Sequence, residues 1–231
     1  MRIAVFGANG PTGRHLTDQA LAAGHEVVAV TRRPSSFSSD LPGLTAAVAD
    51  ATDPAAVDAV IAGTDAVLSA LGTRFGKETI TTYSASATAI TGAMTRHGIK
   101  RLLAVSSSIA DPTWRPTGAH FFNHVLDPLV NRRLGRTLHE DMRRMESVIR
   151  RTDLDWTLVR PSGLFEHPVV TDYHTAGTSA DGVFTARADL AASMLRELEE
   201  RRYVRTAMGV ITTAVRPNIA KLIWHEGVKK K

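Results

Sequence analysis

The sequence predicts an α/β protein in which a doubly wound parallel sheet forms a single domain. Three observations lead to this prediction. Over the first 110 residues, short apolar runs alternate with helical patterns. The runs are apolar throughout instead of alternating with polar residues, which indicates strands covered by helices on both faces. Finally, 231 residues are enough for one such core and short for two.

The elements of the first half alternate regularly. One helix start is marked by Asp53 and Pro54, because an aspartate can cap the free amides and proline suits the first turn. Strands are predicted at 3–6, 26–30, 44–49, 65–71 and 101–105, and helices at 16–23, 53–61 and 78–97.

The pattern changes from residue 111 onwards. Glycines and prolines between 162 and 186 predict a long loop near a site. The remaining elements are predicted as a loop at 111–118, helices at 121–134, 137–151 and 187–200, and strands at 154–159 and 209–213. We expect one domain over residues 1–231, with the substrate site formed by segments at about 111–136 and 161–186.

Composition and charge exclude several classes of protein. The sequence has no cysteine, which excludes disulfide scaffolds, thiolate nucleophiles and thiolate metal sites. No apolar run approaches the roughly 18 residues of a membrane span, and the chain begins without an export signal, so we expect no membrane association and a cytoplasmic location. The net charge is +5, but apart from three lysines at 229–231 the positive residues are scattered, which argues against nucleic acid as a partner.

A glycine-rich turn is the strongest motif. Gly7, Gly10 and Gly13 follow the first predicted strand at spacings of three and three, and the first predicted helix comes next. Glycines in this place allow a tight turn and let a diphosphate approach the amides of a helix N-terminus. A purely structural turn would also use glycine. The strand–turn–helix context favours the first interpretation, in a Rossmann-type fold that binds a dinucleotide.

The end of the second predicted strand indicates which dinucleotide is bound. An NAD site usually has an acidic residue there, whereas this sequence has Arg32 and Arg33, whose guanidinium groups suit a 2′-phosphate. We therefore expect NADP(H), although two solvated surface arginines would give the same pattern. Asp50, after the third strand, is expected beside the adenine ring or, like Asp53, as a helix cap.

With these motifs in hand, the chain resembles the atypical short-chain dehydrogenase/reductases. Within them it is most similar to the NmrA-like group, in the branch of the biliverdin-IX-beta reductases, also called NADPH flavin reductases. The resemblance covers about residues 1–200. It depends on GANGPTG at 7–13, VTRRPSSF at 30–37, VADATD at 48–53, LGTR at 71–74, HGIKRLLAVSSS at 97–108 and LDWTLVRPSGL at 154–164.

This resemblance implies a cofactor that lies across the carboxyl ends of the strands, with a shallow substrate site over the nicotinamide. The sequence differs from the family at Gly163, where the reductases have histidine, and it has a longer segment at about 120–136. The implied cofactor-binding residues are Gly7, Asn9, Gly10, Pro11, Thr12 and Gly13 for the diphosphate, Arg32 and Arg33 for the 2′-phosphate, Asp50 and Ala51 for the adenine, and Leu71, Gly72, Arg74, Ser106, Ser107 and Pro161 around the nicotinamide.

Catalysis by a Tyr-x-x-x-Lys pair is excluded, because none of the three tyrosines has a lysine four positions later. We expect Ser107 to orient the nicotinamide or the substrate by hydrogen bonding, with the proton supplied by water or the acceptor. This favours flavins, quinones or conjugated carbonyls over plain ketones, because their reduced anions are delocalised.

The substrate itself is expected to be small, and an aromatic wall would hold it. Trp114, Phe121, His124 and Tyr173 are the candidates, although the aromatic residues could equally belong to the core. His120 and His124 have a spacing that can bind a metal, but no third ligand accompanies them, so no metal is expected. The predicted function is an NADPH-dependent oxidoreductase, active as a monomer or homodimer. A non-catalytic NADP sensor and a non-redox cyclase or isomerase remain alternatives.

Overall fold

A computed structural model describes residues 1–33, 41–73, 78–119 and 135–217. These residues form one α/β domain around a mostly parallel sheet, as predicted. The strands are β1 (Arg2–Phe6), β2 (Glu26–Thr31), β3 (Leu44–Val48), β4 (Ala66–Ser69), β5 (Arg101–Val105), β6 (Asp155–Pro161), β7 (Gly163–Phe165), β8 (Tyr173–Gly177), β9 (Phe184–Ala186) and β10 (Thr206–Thr212). The helices are α1 (Pro11–Ala22), α2 (Pro54–Ile61), α3 (Thr82–His97), α4 (Arg136–Arg150) and α5 (Arg187–Glu200).

The main sheet has eight strands in the order β3-β2-β1-β4-β5-β6-β10-β8. Seven strands run parallel, and β8 pairs antiparallel with β10 at one edge. The order reverses between β1 and β4, which is the switch point where doubly wound sheets bind their ligands. The carboxyl ends of the parallel strands therefore meet at one edge, and every candidate site residue that follows such a strand lies there.

Two apolar layers cover the faces of the sheet. Along β1, Ile3 and Val5 face the layer formed with α1 and α5, while Ala4 and Phe6 face the layer formed with α2, α3 and α4. This alternation explains why the strand is apolar throughout, since both of its faces are buried. The prediction of a covered parallel sheet is confirmed.

The segment 162–186 requires a correction. It was predicted as a long loop, but it contains β7, β8 and β9, and β7 pairs with β9 in a separate small sheet. Two of these strands have three residues each, too few to show a period. The third, β8, is only partly buried and pairs with β10, about 30 residues further along the chain. Such pairings are non-local and leave no local pattern in the sequence.

Several helix boundaries also differ from the predictions. The first helix begins at Pro11 instead of residue 16, because Gly10 occupies the N-cap and proline suits the first helical position. The third begins at Thr82, four residues later than predicted. The predicted helix at 121–134 lies outside the described residues.

Candidate functional site

The glycine turn connects β1 to α1 at the switch point. Gly7 has φ +76°, and a Cβ atom there would lie 2.6 Å from the carbonyl oxygen of Ala70, at the end of β4. A Cβ atom at Gly13 would lie 2.0 Å from the carbonyl oxygen of Gly7. Both positions therefore need glycine so that the turn itself can pack tightly. The structural role that the sequence left open is therefore real, and the binding role stays a prediction.

Two backbone amides at the start of α1 are unpaired among the described residues. The amide of Gly10 bonds to the carbonyl oxygen of Gly7, and that of Arg14 bonds to Gly10. The intervening amides of Thr12 and Gly13 have no hydrogen-bond acceptor in the described residues, and no acidic side chain lies in this turn. Free amides at the positive end of a helix dipole attract anions. These residues fit the diphosphate of a dinucleotide.

Asn9 and Arg14 close one side of this turn. The guanidinium group of Arg14 donates to the side-chain oxygen of Asn9 and also to its carbonyl oxygen, at 3.4 Å. Pro11 is exposed at the first helical position, where its missing N–H leaves no unpaired donor. The turn is therefore held by its own residues, and its two free amides remain available.

The carboxyl ends of β2 and β3 bring Arg32, Arg33 and Asp50 to one place. Both arginine side chains are exposed, and the Arg33 amide donates to Thr31 Oγ1 at 3.1 Å. The amide and hydroxyl of Thr52, followed by the charge of Arg32, lower the pKa of Asp50 below its usual value. The Asp50 carboxylate is thus occupied by Thr52, and Ala51 beside it is buried. Positive charge remains at the place where a 2′-phosphate would lie.

The residues after β4 continue the same edge. Leu71 is half-buried and its amide lies against the glycine turn, while Gly72 is exposed and has open space where a Cβ would be. The next amide, of Thr73, donates to the phenol oxygen of Tyr83 at 3.2 Å. Burial raises the pKa of that phenol above its usual value, so Tyr83 is a neutral structural partner. Arg74 lies outside the described residues.

Three consecutive serines follow β5, and they face different surroundings. Ser106 and Ser108 are buried; the first donates to Glu146 Oε1 at 2.8 Å and the second to the carbonyl oxygen of Arg160 at 3.1 Å. Ser107 is half-buried, and its oxygen accepts the amide of Ile109 at 3.2 Å. Its hydroxyl proton has no acceptor among the described residues. The predicted cofactor role of Ser106 is thereby corrected, because its hydroxyl is committed to the interior.

Buried ionic groups pack against the end of β5 and its three serines. Arg160, near the end of β6, pairs with Glu146 of α4 through two contacts and approaches Asp111 Oδ2 at 3.3 Å. Desolvation alone would raise the pKa of Asp111, but hydrogen bonds from Thr113 and Ser179 and the charge of Arg160 lower it overall. The carboxylates that surround the serines are therefore ion-paired. Sequence reasoning missed this network, because its members are distant in the chain.

The predicted aromatic wall is not assembled in the described residues. Trp114 is buried, and its indole N–H donates to the carbonyl oxygen of Ala180 at 3.0 Å. Tyr173 packs into the layer of α1 and α5, with the Arg196 guanidinium 5.8 Å from its ring centre, and its strand is three positions from β5. Trp114 is thus a core aromatic, and Tyr173 is partly buried against the core, which is the alternative the sequence left open. Phe121 and His124 lie outside the described residues.

Pro161 ends β6 at the same edge of the sheet as Ser107. It is buried and lies opposite Val210 of β10. In sheet order, this edge thus carries the arginine pair after β2, the glycine turn after β1, Leu71 after β4, Ser107 after β5 and Pro161 at the end of β6. Ser107 is two strand spacings from the glycine turn, about 10 Å.

One cation near the glycine turn was missed in the sequence. Arg187, the first residue of α5, donates from Nη1 to the Thr12 hydroxyl at 3.3 Å. The two residues are 175 positions apart, and no spacing rule connects them. Only the knowledge that α5 packs on α1 could have found this contact.

Metal and membrane chemistry find no support in the described ranges. No group of three or more histidine, aspartate or glutamate side chains there could hold a metal ion. The His120 and His124 pair lies outside these ranges. No helix of the described part has the length and apolar character needed to cross a membrane.

Sequence comparison matches the chain to a protein family described as NAD(P)H-binding, over residues 7–201. An uncharacterized protein of Mycobacterium tuberculosis is 47% identical over 68 residues, which are 29% of this chain and 8% of that protein. The chain thus spans less than a tenth of that relative's length.

Solved structures with the same fold include two reductase-type proteins. A wide-type short-chain dehydrogenase/reductase from Veillonella parvula, solved in complex with NADP, has a TM-score of 0.77 at 18% identity, covering 94% of this chain and 98% of that one. An anaerobillin reductase from Escherichia coli O157:H7 has a TM-score of 0.73 at 19% identity, covering 94% of this chain and all of the other. At these identities the likeness shows the fold alone.

Proposed function

Because the chain belongs to the NAD(P)H-binding family, we propose that it is an NADPH-dependent oxidoreductase that reduces a small conjugated or aromatic acceptor. The observation that carries this proposal is the edge at the switch point. There, the free amides of Thr12 and Gly13 lie on the same side of the sheet as Ser107, whose hydroxyl proton is available. The first feature suits the diphosphate of a cofactor and the second suits the polar group of a nicotinamide or substrate.

The chain's own contribution is to bind and orient. A bound NADPH would supply a hydride from its nicotinamide ring. Ser107 would donate a hydrogen bond to a carbonyl oxygen without giving up its proton, and its own oxygen is held by the Ile109 amide, so the direction of the bond is set in advance. The buried ion pair of Glu146 and Arg160 holds the ends of β5 and β6, and hence the position of Ser107.

The acceptor class follows from what the site lacks within the described residues. The sequence has no Tyr-x-x-x-Lys pair, and Asp111 and Glu146 are ion-paired with Arg160. A serine hydroxyl is a poor acid, so the proton comes from solvent or from the acceptor. Flavins, quinones and enones fit such a site, because their reduced anions delocalise charge. One protein with the same fold, from Escherichia coli O157:H7, is an anaerobillin reductase.

Preference for NADPH over NADH is assigned to Arg32 and Arg33. They are exposed at the end of β2, and the nearby Asp50 carboxylate is engaged by Thr52. Guanidinium groups bind phosphate through charge-assisted bonds, whereas a ribose hydroxyl offers them no charge. The NADP in the similar Veillonella structure is consistent with this assignment.

The first experiment is a calorimetric titration of the protein with NADPH, NADP⁺, NADH and NAD⁺. Arg32→Ala is the variant and Arg205→Ala, a cation distant from the edge whose guanidinium bonds the carbonyls of Leu154 and Asp153, is the control. We expect binding that depends on the 2′-phosphate and is lost in the first variant alone. No binding of any form would overturn the cofactor assignment.

A second experiment offers flavin mononucleotide and a naphthoquinone to the NADPH complex and follows absorbance at 340 nm. Oxidation of NADPH supports the reductase. Binding with no turnover and a preference between oxidised and reduced forms would instead identify a sensor. A substrate converted with neither form consumed would identify the non-redox isomerase or cyclase.

A further inference from the structure

Arg187 occupies a position that its own helix does not favour. It is the first residue of α5, where the helix dipole is positive and a cation is destabilising. The acidic residue in that turn, Asp189, is buried and bonded to Thr171 and Thr212 instead. The stability of α5 therefore does not explain the guanidinium group.

The contacts of Arg187 point towards the glycine turn. Its Nη1 donates to the hydroxyl of Thr12, whose backbone amide is one of the two free amides at the start of α1. Its Nε lies 2.7 Å from Glu166 Oε1, yet this buried nitrogen makes no directed hydrogen bond in the described residues. The pair is thus held by charge, and one buried donor remains unused.

Glu166 is well suited to release this arginine. Its side chain is 62% exposed, whereas that of Arg187 is 22% exposed. The other carboxylate oxygen, Oε2, lies 3.4 Å from His15 Nε2 on α1. Because the Glu166 carboxylate is exposed, water can solvate it when the pair opens, so an exchange of partners costs little. A diphosphate carries more charge than one carboxylate and offers oxygens that match the guanidinium fork.

We propose that Arg187 is a further ligand of the cofactor diphosphate, and that Glu166 is its counter-ion only until the cofactor binds. This inference rests on the proposed function, because it adds a residue to the same cofactor site. Glu166 competes with the diphosphate for Arg187, so the pair sets the affinity for every dinucleotide. Arg32 acts differently, since it distinguishes NADPH from NADH.

The test titrates the full-length protein with NADPH, NADH and ADP-ribose by calorimetry. These three ligands share the diphosphate, and only NADPH has the 2′-phosphate. Arg187→Ala is expected to weaken all three equally, by about 10- to 100-fold, as for loss of a hydrogen bond to a charged group. Glu166→Gln is expected to strengthen all three, by about two- to fivefold. Arg196→Ala removes the same charge from the same helix and is expected to change none of them.

Two results would overturn the proposal while the cofactor site stands. One is wild-type affinity in Arg187→Ala. The other is weaker binding in Glu166→Gln, because a structural ion pair would lose function when either partner is removed. If the unmodified chain binds none of the ligands, both the proposed function and this inference are contradicted.

Discussion

Arg160 and Glu146 form a two-pronged ion pair that is almost completely removed from solvent. Nε lies 2.9 Å from Oε1 and Nη2 lies 2.7 Å from Oε2, and the side chains are 8% and 7% exposed. Ser106 donates to the same carboxylate, and Asp111 approaches the same guanidinium. The pair therefore ties α4 to the ends of β5 and β6, on either side of Ser107.

Removing one partner of this pair should be costly. In Arg160→Met, the buried Glu146 carboxylate keeps only the Ser106 hydroxyl and the more distant guanidinium of Arg150, 3.6 Å from Oε2. The free energy of unfolding at pH 7, measured by urea titration, should therefore fall by about 3 kcal/mol. The matched control is Arg136→Met, which breaks the exposed pair of Arg136 and Glu140. This variant should change the free energy of unfolding by under about 1 kcal/mol.

The double variant Glu146→Leu with Arg160→Met tests the cause. It removes both charges of the pair and should be more stable than Arg160→Met alone. Equal or lower stability would mean that packing, and not the unpaired charge, explains the loss.

The neighbouring serines should separate activity from stability. Ser107→Ala removes the available hydroxyl proton, and we expect turnover to fall at least about tenfold. It also removes the acceptor of the Ile109 amide, so the free energy of unfolding should fall by only about 1 kcal/mol. Ser106→Ala removes a buried donor to Glu146 and should cost about 1–3 kcal/mol of unfolding free energy. Steady-state kinetics and thermal denaturation of both variants make the comparison. Full turnover in Ser107→Ala would refute its assigned role.

These serines also show how far the sequence could be interpreted. Alternation along a strand end predicts that Ser106, Ser107 and Ser108 cannot all face the site, and the structure agrees. Alternation could not predict which of the serines faces the buried ionic groups, because Glu146 is 40 residues from Ser106 in the chain. The glycine turn could be predicted from the sequence because its residues are contiguous. The contact of Arg187 with Thr12 could not, because it depends on how two helices pack.

The aromatic residues illustrate the same limit. Trp114 and Tyr173 have the residue type expected of a flat-substrate wall, but residue type alone does not distinguish a wall from a core. Their burial is decided by partners such as Ala180 and Arg196, which come later in the chain. The first half of the fold was predictable because its strands are apolar throughout and largely alternate with helices along the chain, whereas β8 depends on a later strand.

Gly7 should not tolerate a side chain. Gly7→Ala combines φ +76° with a Cβ placed 2.6 Å from the carbonyl oxygen of Ala70, so we expect a loss of about 2 kcal/mol or more. The control is Gly92→Ala, within α3, where the new Cβ would meet only Arg96 Nη1 at an ordinary 3.6 Å. That change should stabilise the protein by about 0.5–1 kcal/mol. Urea titrations of both variants provide the measurement, and equal effects would contradict the steric argument.

Asp111 should make the stability of the protein depend on pH in the acidic range. Its pKa in the folded chain is lowered: burial opposes this, but the bonds from Thr113 and Ser179 and the charge of Arg160 outweigh burial. A carboxyl group with a lowered folded pKa stabilises the protein above its unfolded pKa of about 3.9, and this contribution is lost as the pH falls through the folded value.

The comparison with Asp111→Asn isolates this contribution, because asparagine resembles the protonated acid in shape. The wild type should unfold at a higher urea concentration than the variant at pH 7 and pH 5, and the difference should shrink steadily below about pH 4. Parallel titrations between pH 7 and pH 2.5 would measure it. A difference that stayed constant or grew on acidification would mean that the Asp111 carboxylate is not stabilised by Arg160, and the support proposed for the end of β5 would lose one of its charges.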